Sequence, residues 1–249
     1  MVRSRPVTVP AAGAALALVL SGCAGAVGTA PAATATEAVA AEAVVAVAPV
    51  VPPAARGVAA GYLPPFSSVV SPVTVADLAA SWRAGCPVGP QDLRSVSVSY
   101  VDFGGRPGTG SLVVHASVAE QVAVVFADLY AARYPIASLR PVEAFGGSDD
   151  ASMDADNTSA FNCRATTGGT GFSEHSYGTA VDVNPVENPY VKGTTVLPAA
   201  GRAFTDRSPA PGVVRDGDAV VEAFARQGFG WGGHWNSLKD YQHFSISGD

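Results

Sequence analysis

Four histidines occur in this chain of 249 residues, and two of them stand near carboxylates in short segments built from Gly, Ser and aromatics. One segment is His175-Ser-Tyr-Gly-Thr-Ala-Val-Asp182 and the other is Asp240-Tyr-Gln-His243. Two imidazoles and one carboxylate are the ligand set of a catalytic zinc, because three protein ligands leave a fourth position for water. His175, Asp182 and His243 are therefore the candidate ligands. Asp240, three residues before the last His, is placed to handle that water's proton. Simpler readings stand beside these. His175 and His243 can be satisfied structural histidines, and Asp182 can cap a turn at Asn184-Pro185. His115 reads as structural or cleft-lining, and His234 as loop or near the site.

Elements must bring these groups together. On a strand beginning after Gly178, Val181 and Val183 share one face while Ala180, Asp182 and Asn184 share the other, so Asp182 leaves the apolar side. A strand over Tyr241 to Ile246 puts Tyr241, His243 and Ser245 on one face and Asp240 on the opposite one. Asp240 and His243 can then serve one site only if the chain turns at Asp240 to Gln242. Upstream, Ser95-Val-Ser-Val-Ser-Tyr-Val101 alternates polar and apolar as a half-buried strand does. Phe103 to Gly110 reads as a turn and Ser111 to His115 as the second strand of a hairpin. Ser117 and Glu120 form a capping box, and Val118, Val122, Val125, Phe126 and Leu129 recur at helical spacing to about Arg133. A second helix is predicted from near Asp218 to Gly228, anchored by Val221 and Phe224. The expected class is a compact α+β domain with much loop, and the loops hold the unusual residues.

Composition narrows the partners. The formal charge is −6 with a pI near 5.1, and Lys occurs only at Lys192 and Lys239. With no basic stripe, nucleic acid is excluded as an expected partner. Arg3 and Arg5 precede an apolar stretch, Ala11 to Leu20, too short to span a bilayer comfortably. Leu20-Ser21-Gly22-Cys23 follows at once and resembles the lipobox of bacterial lipoproteins. By that resemblance residues 1–22 are a signal peptide and Cys23 carries the lipid that anchors the chain in the cell membrane. An ordinary secretory signal cleaved near Ala24-Gly25-Ala26 is the other reading, and both export the chain. Residues 23–61 are Ala, Val and Pro rich, with Pro49, Pro52 and Pro53 breaking the long apolar stretch, and read as a tether. Residues 62–249 read as the domain. Setting Cys23 aside leaves Cys86 and Cys163, an even pair in an oxidising compartment, for which a disulfide is expected.

Ser173-Glu-His175-Ser-Tyr-Gly178-Thr-Ala180-Val-Asp182 resembles the S-x-H-x-x-G-x-A-x-D motif of the VanY-like D-alanyl-D-alanine carboxypeptidase metallopeptidases. Gly230-Trp-Gly-Gly-His-Trp235 followed by Lys239-Asp-Tyr-Gln-His-Phe244 is similar to the C-terminal motif of that family, in the branch containing L-alanyl-D-glutamate endolysins. The resemblance implies a hedgehog/DD-peptidase-like fold with a small antiparallel sheet and flanking helices. It implies Zn2+ on His175, Asp182 and His243, with Asp240 in the place of the acid/base carboxylate, where well-studied members carry Glu. It also implies a substrate- or oxyanion-binding Arg upstream of the first His, for which Arg164 is the candidate; a surface Arg in a salt bridge is the other reading. Ser173 is placed to orient His175. The expected activity is hydrolysis of peptide bonds in peptidoglycan stem peptides by an exported, anchored monomer facing the cell wall. A non-catalytic cell-wall-binding lipoprotein retaining the fold, or another metal-dependent hydrolase on the same triad, are the alternatives.

Overall fold

The computed structural model of the protein describes residues 62–248. The signal segment, Cys23 and the tether lie outside the described residues.

Alternation and helical spacing each find their expected element. Strands β1 (Ser68–Pro72), β2 (Leu93–Val101) and β3 (Pro107–His115) form one antiparallel sheet in that order. The β2–β3 hairpin runs in unbroken register from Leu93 opposite His115 to Val101 opposite Pro107. Its turn is closed by Asp102, whose Oδ1 accepts from the backbone N–H of Gly104 at 2.8 Å and of Arg106 at 2.9 Å. Gly105 takes φ +73° there, which a side chain would disfavour. Val96 and Val98 point inward and are fully buried against α1 (Ala119–Ala131), which contributes Val122, Val125, Phe126 and Leu129 to the same core.

The helix start differs from the expected capping box. Residues Ala116–Val118 form a 3-10 turn before α1, and Val118 at the N-cap makes no side-chain cap. The cap belongs to the turn instead: His115 Nδ1 accepts from the Ser117 N–H at 3.2 Å. A turn of tighter pitch moves Ser117 one step too early to reach the first amides of the α-helix. The structure thereby gives His115 a local capping role.

The C-terminal half is made of short pieces. Strands β4 (Ser138–Leu139) and β5 (Asn157–Thr158) pair in parallel on either side of α2 (Asp149–Asp154). A three-stranded antiparallel sheet has β11 (His243–Ser245) between β6 (Ala180–Asp182) and β9 (Gly230–Trp231). A second small sheet sets β7 (Tyr190–Lys192) between β8 (Thr195–Leu197) and β10 (Lys239–Asp240). Helix α3 (Ala219–Arg226) lays Val220, Ala223 and Phe224 into the core, and Phe224 stacks on Phe244 of β11 with centroids 4.0 Å apart. The strand that carries His243 is thus backed directly by aromatic packing. The architecture is mixed α/β with small antiparallel sheets and few helices, as the α+β expectation holds.

Cys86 and Cys163 form a disulfide across 77 residues of sequence. It borders a second apolar cluster containing Leu78, Leu93, Val113 and Phe161, and it ties the segment leading to Arg164 to the N-terminal part of the domain.

Candidate metal centre

Register places the three candidate ligands. In β11–β6 the residue opposite His243 is Asp182, and directly opposed residues of an antiparallel pair carry their side chains on the same face. Asp182 is also held on its other edge, where it exchanges backbone hydrogen bonds with Ser159 at 2.8 and 3.0 Å. His175 arrives from a 3-10 turn, Glu174–Tyr177, that ends at Gly178 with φ +71°. A Cβ on Gly178 would lie 2.6 Å from the His115 backbone nitrogen. The motif glycine thus lets this turn close against β3, where the His115 N–H donates to the Gly178 carbonyl at 2.8 Å.

The three donor atoms converge. His175 Nε2 lies 3.0 Å from Asp182 Oδ2 and 3.2 Å from His243 Nδ1, and His243 Nδ1 lies 3.1 Å from Asp182 Oδ1. Tetrahedral geometry with bonds of about 2.0–2.1 Å separates ligand atoms by about 3.3 Å, so the spacing fits a zinc ion. Proton accounting leads to the same conclusion. His175 Nδ1 sits 2.6 Å from the Ala160 carbonyl, which can only accept, so that nitrogen carries the ring proton. Neutral His175 then aims its Nε2 lone pair at a carboxylate and at a second imidazole nitrogen. A buried nest of lone pairs calls for a cation or a proton at its centre. Of the described residues, His175, Asp182 and His243 are the set of three that can hold a metal.

The electrostatics of the triad follow the same logic. Burial alone pushes the Asp182 carboxyl up, but the charge and hydrogen bonds of His175 and His243 hold it far below the usual carboxylate range. Burial alone lowers His175, and the Asp182 carboxylate more than reverses this, so the imidazole is raised. A proton there occupies the place of a metal.

Asp240 enters from the other sheet. It pairs with Tyr190 in β10–β7, the chain turns at Tyr241–Gln242, and β11 begins at His243. The expected turn between Asp240 and His243 is present, and it is a change of sheet. Gly232 makes room for it: a Cβ there would lie 2.5 Å from the Asp240 carbonyl oxygen. Asp240 lines a cavity of about 310 Å³ together with His175, His243, Arg164, Tyr190, Trp235 and Leu238. Its Oδ1 is buried with no hydrogen-bond partner. Burial first, and then repulsion from Asp182, push its carboxyl up to about 7.

Arg164 combines its two readings. It lines the cavity, and its Nε stands 2.9 Å from Asp149 Oδ1 in a half-buried ion pair. Ser173 meets His175 through the backbone. Its Oγ accepts from the His175 backbone N–H at 3.4 Å and caps the turn, while the Ala160 carbonyl lies 2.6 Å from the ring's Nδ1. Trp231 is core, whereas Trp235 walls the cavity with its ring 5.3 Å from that of His243. His234 stays outside this cavity and pairs with Asp216 at 2.9 Å. Asp149, Ala160 and Tyr190 were not singled out from sequence. Each meets the site through distant pairing, and no local motif marks them.

Residues 166–246 match the family model for D-alanyl-D-alanine carboxypeptidase. The matched stretch contains both motifs, including His175, Asp182, Asp240 and His243, and begins two residues after Arg164. It supports a peptidase of that family, as the two motifs imply. No curated protein and no solved structure matches the chain.

Proposed function

Taking residues 166–246 as the peptidase region, we propose that the protein is a zinc-dependent peptidase that hydrolyses peptide bonds in peptidoglycan stem peptides. The bond is of the D-Ala-D-Ala carboxypeptidase type or the L-Ala-D-Glu endopeptidase type. The observation that carries this reading is the convergence of His175 Nε2, Asp182 and His243 Nδ1 beneath a cavity that also holds Asp240 and Arg164. A non-catalytic wall-binding protein has no need of all these groups together.

A zinc ion held by the triad supplies Lewis acidity to the scissile carbonyl and lowers the pKa of water in the site. The chain's own residues do the rest. Asp240, buried and unpaired at Oδ1, takes the proton of the attacking water and delivers it to the leaving amine. Arg164 donates to the carbonyl oxygen as negative charge develops. The Ala160 carbonyl fixes the His175 tautomer so that Nε2 keeps its lone pair for the metal. Trp235 and Leu238 wall the cavity.

The chain acts, in this reading, as an exported monomer anchored through Cys23, with residues 23–61 as a tether toward the wall. No helix among the described residues is long and apolar enough to cross a membrane. Digestion of purified peptidoglycan by the zinc-loaded protein lacking residues 1–22, with mass analysis of the released fragments, tests the activity. Fragments cut at a single type of stem-peptide bond are the expected result and identify that bond. Absence of any release contradicts the proposal.

A further inference from the structure

We propose that Asp149 is a positioning residue for Arg164, holding its guanidinium at the cavity wall and off Asp240; this rests on the peptidase reading above. The main chain of Arg164 is already fixed. Its N–H lies 3.0 Å from Ser176 Oγ, its carbonyl accepts from the Ser173 N–H and from Ser176 Oγ, and Cys163 before it is disulfide-bonded. A long side chain keeps its rotamer freedom on a fixed main chain, so the guanidinium needs contacts of its own. It has two: an ion pair in which Nε lies 2.9 Å from Asp149 Oδ1 without the alignment of a hydrogen bond, and a hydrogen bond from Nη1 to the Ala165 carbonyl at 3.1 Å. The ion-paired side chains are only 23% and 21% exposed, which separates this pair from solvent-screened surface pairs. The ion pair and the Nη1 bond hold the guanidinium in place, and the N–H groups that make no hydrogen bond are what it can offer a ligand.

Asp149 itself stands on a supported element. It is the first residue of α2, whose N-cap Ser148 accepts from the Ala151 N–H, and whose Ser152 and Met153 are buried. The other carboxylates of the site show what Asp149 prevents. Asp182 is committed to two imidazoles, whereas Asp240 Oδ1 has no partner. Released from Asp149, the Arg164 guanidinium has two further carboxylates along the same cavity, Glu174, whose Oε2 already accepts from Thr179 Oγ1 at 3.1 Å, and Asp240, whose Oδ1 has no partner. Pairing there would occupy the oxygen needed for proton transfer and withdraw the donor from the carbonyl.

The test compares Asp149→Asn, Arg164→Ala and the double variant, all zinc-loaded, for release of peptides from peptidoglycan. Asp149→Asn should lower kcat/KM by about 10–100-fold, the scale of a misplaced catalytic group, with zinc content unchanged. On the Arg164→Ala background the same substitution should cost nothing more, since the two act as one unit. A crystal structure of Asp149→Asn should show the guanidinium turned onto Asp240. Multiplying losses, a wild-type rate in Asp149→Asn or an unmoved guanidinium overturns the proposal. Should Asp149→Asn fail to fold, Arg164→Lys, which keeps the charge and lacks Nε, should lose a similar factor; a wild-type rate in that variant is equally contrary. If the wild-type protein releases nothing, the peptidase reading fails, and the guanidinium position in Asp149→Asn still decides whether Asp149 holds Arg164.

Discussion

Asp182 and Glu187 lie five residues apart on one segment and both are buried, at 5% and 9% exposure, yet their surroundings drive them in opposite directions. Asp182 faces two imidazoles and is held down as an anion in spite of burial. Glu187 is pushed up to about 8, first by burial and then by the Asp156 carboxylate. Asp156 is itself tied to the backbone, accepting from the Val186 N–H at 2.9 Å. Burial penalises charge at both positions, so the partner decides which carboxylate survives as an anion. The first is ready for a cation. The second is neutral at pH 7 and belongs to the fold.

The largest effect should come from taking the anion out of the first site. Asp182→Asn removes a ligand and the charge that balances two imidazoles, so peptide release should fall by more than about 10³-fold and bound zinc should be lost. Zinc bound as in wild type would remove Asp182 from the ligand set. Asp240→Asn should be milder in one respect: zinc stays, while kcat falls by about 10²–10⁴-fold. Loss of zinc in that variant would show Asp240 acting through the metal site and not on a proton. Activity of the wild type should rise along an acid limb as Asp240 loses its proton. The metal-free position of about 7 marks its upper end, because a cation in the triad pulls the carboxyl down. A pH–rate profile with no limb between about pH 4 and 7 would speak against Asp240 as the base.

The second site predicts the smallest effect and the opposite kind. The folded state holds the Glu187 proton up to about 8, against 4.5 for the free side chain. Its stability contribution is therefore full below about 4.5 and is lost as pH rises through 8. Glu187→Gln should be close to neutral at pH 5 and should stabilise the protein at pH 9 by about 1–2 kcal/mol. That is a rise of roughly 2–8 °C in Tm. Thermal unfolding at the two pH values, with peptide release unchanged at pH 7, checks both halves. Destabilisation at pH 9 would mean that Glu187 is a needed anion, and the contrast with Asp182 would collapse.

Regular elements were legible because period alone reveals them. Ser95 to Val101 and the Val122–Phe126–Leu129 spacing show which face is buried, and the structure buries those faces. The turn at Tyr241–Gln242 was legible by contradiction, since a continuous strand would have split Asp240 from His243. What stayed hidden depends on contacts far apart in sequence. Nothing local tells that the Ala160 carbonyl holds the His175 ring, or that Asp149 meets Arg164. The capping box at Ser117 failed for a related reason: its residue types fit, but a 3-10 turn shifted the phase. The small β7–β8–β10 sheet was likewise missed, because strands of two or three residues are too short to show a period.

The central claim is that His175, Asp182 and His243 form one metal centre. Elemental analysis of the purified wild-type protein and of His243→Ala tests it most directly. About one zinc per wild-type chain and roughly a tenth of that or less in the variant is the predicted result. Equal zinc in the two proteins, or none in a wild type supplied with zinc, would contradict it.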